Sequence, residues 1–81
     1  MITAAQIRAA RALLTMDQRD LAERTGLSLP TIQRMEASEG VIRGNVDSLM
    51  KLIAGLEAAG IDLIGEGATS SEGGRGVRLK R

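Results

Sequence analysis

The chain has 81 residues, 11 basic and 10 acidic side chains for a formal net charge of +1, and no cysteine, histidine or aromatic residue. That size fits one domain near the lower limit for a self-sufficient core, and the missing thiols and imidazoles exclude disulfide scaffolds, the usual zinc sites and Cys/His nucleophilic chemistry. The missing aromatics remove the stacking platforms of single-strand and RNA readers, and no apolar run approaches the ~18 residues of a membrane span.

No basic flank followed by an apolar block opens the chain, so a cytoplasmic protein is expected, with no membrane partner, no metal and no cofactor. Carboxylate, lysine and serine chemistry stays open on composition alone. The near-neutral total hides a segregation: residues 1–44 hold six basic and five acidic side chains, residues 45–74 one and five, and residues 75–81 four and none.

Thr3 to Leu14 predicts a first helix, opened by a Thr-x-x-Gln capping box and carrying Ile7, Ala10 and Leu14 on one stripe. Asp17 is the expected cap of a second helix of about two turns, reaching Arg24, with Leu21 and Ala22 inward and Gly26 as a left-handed stop. After the turn Thr25-Gly26-Leu27-Ser28, Ser28 caps a third short helix with Ile32 and Met35 inward. The segment 37–45, "ASEGVIRGN", shows no helical period and reads as a loop with Val41 and Ile42 against the core. Asn45 or Asp47 caps a fourth helix, on which Val46, Leu49, Ile53 and Leu56 are expected on the buried face, flanked by Met50 and Leu52, and Gly60 ends it. The period then changes to two: "IDLI" and "GVRLK" read as a β-hairpin around a long mobile loop, residues 65–76. The expected organisation is a helix-turn-helix domain over 1–60 and a hairpin with a basic tail over 61–81.

Two short helices joined by a tight glycine turn are a weak signal by themselves. The third helix sharpens it. At ~100° per residue from Pro30, Ile32 lies at about 200° and Met35 at about 140°, so Gln33 at about 300° and Arg34 at about 40° point away from the core, with Leu29 and Thr31 on the flanks. Arginine bonds bidentately to guanine and glutamine to adenine in the major groove, which suits such a face to reading duplex DNA. The same residues also fit an ordinary solvated helix surface.

Residues 3–58 resemble the Cro/repressor type of helix-turn-helix, also called the Xre family, on "MDQRDLAERTGLSLPTIQRME": Gln18 and "LA" of helix 2, Gly26, Ser28, Ile32 and Glu36. The resemblance implies a mainly α fold, a small lambda-repressor-like helical bundle, with a third helix of about residues 29–36 lying in the major groove of double-stranded DNA. It implies base-reading positions at Leu29, Pro30, Gln33 and Arg34 with Thr31 as a helper, and phosphate contacts from Gln18, Arg43 and Asn45 with Ser28 beside them. It also implies a structural ion pair between Arg11 and Glu36. The residues support that pair independently, because Arg11 interrupts an apolar face and Glu36 follows the inward Met35. The pattern departs from well-studied relatives at Leu29 and Pro30, which commonly are polar. Hydrogen-bonding readout therefore narrows to Gln33 and Arg34, and Leu29 and Pro30 offer apolar contact with a thymine methyl.

Family members usually dimerise on half-sites about one helical turn apart, ~34 Å, so a homodimer is implied. An isolated hairpin is marginal in water; the two strands are expected to pair across a two-fold, with Ile61, Leu63, Val77 and Leu79 on the buried side of a four-stranded sheet. A hairpin folded over helix 4 of its own chain is the alternative. The basic residues Arg75, Arg78, Lys80 and Arg81 fit neutralisation of the acidic middle, contact with phosphates, or protection of an edge strand. No convergent catalytic set can be assembled, so an enzyme is not expected, and the glycine-rich loop lacks the strand-to-helix context of a phosphate cradle. The expected function is a transcription regulator repressing by occupancy, with RNA polymerase or a partner regulator as a further contact, for instance through Asp17, Asp20 and Glu23. The competing reading is an adaptor or antagonist built on a Cro-like domain without specific DNA binding.

Overall fold

In a computed structural model of the chain, residues 2–65 and 74–80 are described. Four helices precede a hairpin: α1 Ala4–Leu14, α2 Gln18–Thr25, α3 Leu29–Glu36, α4 Val46–Ala58, β1 Ile61–Ile64 and β2 Gly76–Leu79. Each helix starts where a side chain takes up a backbone N–H that has no intrahelical partner. Thr3 and Gln6 form a reciprocal capping box on α1, Asp17 and Asp20 another on α2, Ser28 caps α3 and Asn45 caps α4. Such caps contribute about 1 kcal/mol each, enough to fix the boundaries of eight-residue helices that are marginal alone. Between α2 and α3 the chain reverses at Gly26, whose φ of 76° suits glycine.

Ile7, Leu21, Ile32, Met35, Leu52, Leu56 and Ile61 form the fully buried centre of the core. On α4 the buried residues are Leu49, Leu52 and Leu56, whereas Val46 is 71% and Met50 65% exposed and Ile53 is only half-buried. This corrects the expected face by a rotation of the helix. The rotation is set by Gly55: a Cβ there would stand 2.7 Å from Thr25 Cγ2 and 3.2 Å from Thr25 Cα, so α2 approaches α4 along the side that has no side chain. In the preceding loop Ile42 is buried but Val41 is 40% exposed, because successive side chains of an extended segment point to opposite sides. That segment lies beside the N-terminus: the Ala4 N–H donates to the Gly40 carbonyl at 3.0 Å and the Ile42 N–H to the Ile2 carbonyl at 3.1 Å.

The hairpin is antiparallel, pairing Ile61 with Leu79, Asp62 with Arg78, Leu63 with Val77 and Ile64 with Gly76. It folds onto its own chain, β1 against α4 and β2 against α1. Of the four residues expected between subunits, Ile61 is fully buried by its own chain, Leu63 and Val77 pack on the same core, and Leu79 alone stays 46% exposed. Within the chain, the apolar side of the strands packs on the protein's own core, except at Leu79. Gln6 contributes to this packing: its Nε2 donates to the carbonyls of Ile64 at 3.0 Å and Gly76 at 2.9 Å, tying the loop end of the hairpin to α1. On the outer side Arg78 pairs with Asp62, which ties one cation of the basic tail to the acidic middle. The long loop read over residues 65–76 falls mostly outside the described residues, as does Arg81.

Candidate nucleic-acid interface

The turn at Gly26 sets α3 across the end of α2, and α3 grips the core through Ile32, Met35 and Glu36. Pro30, Gln33 and Arg34 are exposed on the opposite side, with Leu29 and Thr31 half-exposed beside them. Among the described residues no hydrogen bond engages the Gln33 side chain or the Arg34 guanidinium. Pro30 stands in the first turn, where its missing N–H removes no intrahelical bond. Ser28 Oγ accepts from the Thr31 N–H at 3.3 Å and shares a 2.8 Å hydrogen bond with Thr31 Oγ1, so both hydroxyls are partly committed to starting the helix.

The other end of α3 is clamped from α1. Arg11 donates through Nε to Glu36 Oε2 and through Nη2 to Oε1, both at 2.7 Å, and its Nη1 donates to the Met16 carbonyl at 3.2 Å. The Glu36 side chain is 4% exposed and that of Arg11 21%. Hydrogen bonding to Glu36 raises the Arg11 pKa above its ordinary value, against the opposing effect of burial, so the guanidinium stays charged. Arg8 adds a second tie, donating through Nη1 to the Glu36 backbone carbonyl at 2.7 Å. Arg8 was not singled out from the sequence. Its only available signal is the i, i+3 spacing from Arg11, which places both arginines along one side of α1.

Three expected phosphate-side residues come from the starts of two other helices. Gln18 is the first residue of α2 and half-exposed; Asn45 is exposed and caps α4 through Oδ1, which accepts from the Ser48 N–H at 2.7 Å. Arg43 is exposed. Gly44 brings this segment to α3, since a Cβ at Gly44 would lie 3.3 Å from Met35 Cε. Gly44 thus packs against the buried Met35 side chain of α3, and Arg43 and Asn45 are the exposed residues on either side of it in the chain. Helix N-termini carry unpaired N–H groups and positive dipole ends, both favourable to phosphate. Among the described residues no group of three or more acidic side chains is placed to hold a metal, and no helix is long and apolar enough to cross a membrane.

Residues 7–46 match the family described as Helix-turn-helix, a span running from the middle of α1 to the start of α4. It contains the α2–turn–α3 unit and the arginines that clamp it. No curated protein matches the chain.

Proposed function

The chain belongs to the Cro/Xre type of helix-turn-helix DNA-binding regulators, and from that premise we propose that it is a cytoplasmic, sequence-specific repressor that binds double-stranded DNA as a homodimer with α3 in the major groove. The observation that carries this reading is the division of α3: Ile32, Met35 and Glu36 anchor it, and Gln33 and Arg34 project with their donors unspent. Each bidentate contact discriminates by about 1–3 kcal/mol, so two readers per protomer give only modest selectivity, and a symmetric pair of half-sites doubles it. Leu29 and Pro30 face a thymine methyl beside the bases read by Arg34 and Gln33. Gln18, Arg43, Asn45 and Ser28 hold phosphates and fix the register.

Occupancy of a promoter is sufficient for repression. Asp17 and Asp20 spend carboxylate oxygens on each other's backbone N–H, at 2.7 and 3.1 Å, which favours capping over a contact with polymerase as their role.

The test is gel retardation on duplexes selected from a randomised pool at physiological salt. Arg34→Ala is expected to weaken the selected site about 5- to 150-fold per half-site and relax preference at one base pair. Binding seen only at low salt and indifferent to Arg34 refutes specific readout and favours the adaptor reading.

A further inference from the structure

The two most exposed large hydrophobic residues among those described, Val46 and Met50, are one turn apart on α4. With Met50 at zero and ~100° per residue, Val46 falls at about −40°, Ile53 at about −60° and Ala54 at about +40°, so from Val46 to Ala54 the helix shows an apolar stripe on the side away from Leu52 and Leu56, ended by the exposed Glu57 at about −20°. Along one border runs an ion pair, Asp47 at about +60° and Lys51 at about +100°, with Lys51 Nζ 3.4 Å from Asp47 Oδ2 and both side chains half or more exposed. The other exposed large hydrophobics, Leu13, Val41 and Leu79, are each below half exposure and sit on different elements.

We propose that this stripe is the subunit interface, occupied by α4 of a second copy running antiparallel across a two-fold axis near Ser48 to Met50. The charge order selects the occupant. A two-fold perpendicular to the helix keeps the charged border on the same side of both copies and reverses its direction, so Asp47 of each copy faces Lys51 of the other while Val46 and Met50 cover one another. A parallel pairing about a two-fold along the helices would carry the two charged borders to opposite sides of the contact, where neither Asp47 nor Lys51 meets the opposite charge of the other copy. The surface is therefore complementary to itself in the antiparallel sense, as an isologous contact requires. Its position agrees with the DNA face: the stripe begins at Val46, directly after Asn45, and the segment 43–45 reaches α3 through Gly44 and Met35. Both reading helices then flank one axis. The stripe is small beside the ~800 Å² per partner of a standard interface, so the free dimer is weak and the operator completes it.

This interface serves the proposed dimeric regulator, but its first test needs no DNA. Sedimentation equilibrium from about 10 μM to 1 mM should show wild type self-associating to a dimer and Met50→Asp monomeric with an unchanged circular dichroism spectrum. Asp47→Lys, which makes both border contacts repulsive, should weaken association on the order of 3- to 30-fold. Asp47→Lys with Lys51→Asp should restore it, although the swap disfavours the α4 dipole. A monomer throughout the range, a Met50→Asp variant that still dimerises, or a charge swap that fails to rescue each overturns the proposal. On a two-half-site duplex, Met50→Asp should keep single-site affinity and lose cooperativity. Absence of DNA binding by both proteins would overturn the regulator reading and leave the sedimentation result to decide the interface.

Discussion

Gly55→Ala tests whether the approach of α4 to α2 fixes the helix rotation. A methyl group at this position lies 2.7 Å from Thr25 Cγ2, 3.2 Å from Thr25 Cα and 3.3 Å from the Arg24 carbonyl, and the latter two are backbone. Thr25 cannot turn aside freely, because its Oγ1 donates to the Leu21 carbonyl at 2.8 Å and accepts from the Leu27 N–H at 3.3 Å. In an unconstrained helix the substitution would gain about 1 kcal/mol of propensity, whereas forcing a methyl into a packed contact costs about 1–3 kcal/mol. The net expectation is a loss of about 0–2 kcal/mol, at roughly 4–8 °C in Tm per kcal/mol for a domain of this size. Thermal unfolding of Gly55→Ala, Thr25→Ser and the double variant measures the coupling. Removing Cγ2 relieves the closest contact, so Gly55→Ala should cost less in the Thr25→Ser background. A rise in Tm by the full propensity gain, or no coupling between the two sites, would refute the reasoning.

Glu36→Gln replaces one carboxylate oxygen facing Arg11 with an NH2 group; denaturation in urea should show a loss of about 1–3 kcal/mol, below the cost for a fully buried pair because Arg11 keeps 21% exposure, and an unchanged midpoint would remove the clamp from the account. Gln6→Leu removes the donor shared by the Ile64 and Gly76 carbonyls together with the α1 capping partner, so amide exchange should accelerate in β1 and β2 well before α2 and α3; uniform acceleration would mean that the tie is not local. Leu29→Gln changes a half-exposed residue, and it should alter stability by less than about 0.5 kcal/mol while shifting the selected base under it, a result read by repeating the duplex selection.

What the sequence disclosed followed from how local each signal is. Caps at Thr3, Asp17 and Ser28, the stop at Gly26 and the inward pairs Leu21/Ala22 and Ile32/Met35 rest on side chains within a turn of each other, and these elements stand where the pattern put them. The face of α4 was not legible, because Val46, Leu49, Met50, Leu52, Ile53 and Leu56 spread over about 160° of its circumference, so that more than one choice of buried stripe fits them. Contacts distant in sequence, the approach of Gly55 to Thr25 and the packing of β1 on α4, go with the burial of Leu49, Leu52 and Leu56. Alternation gave the inward side of the hairpin but not what lies beneath it, since periodicity says which residues share a face and is silent on the surface that covers them. On α1, Arg11 was readable through its carboxylate partner; Arg8 was not, because its partner is a backbone carbonyl that any residue could supply.

The clamp bears on how DNA binding should fail. An eight-residue helix is marginal alone, so the orientation of α3 on the protein depends on its two ends and its buried side. Ser28 holds the first end, and Arg8 and Arg11 hold the last through the backbone and side chain of Glu36. A helix fixed before it meets DNA has little ordering left to lose on binding, which raises affinity for every sequence alike. In the proposed reading, base discrimination resides elsewhere, in Gln33 and Arg34. Loosening the clamp by Glu36→Gln should therefore weaken matched and mismatched duplexes by nearly the same factor, whereas Arg34→Ala should weaken the matched one preferentially. If the two substitutions changed the ratio of matched to mismatched affinity equally, positioning and reading would not be separable functions of this helix.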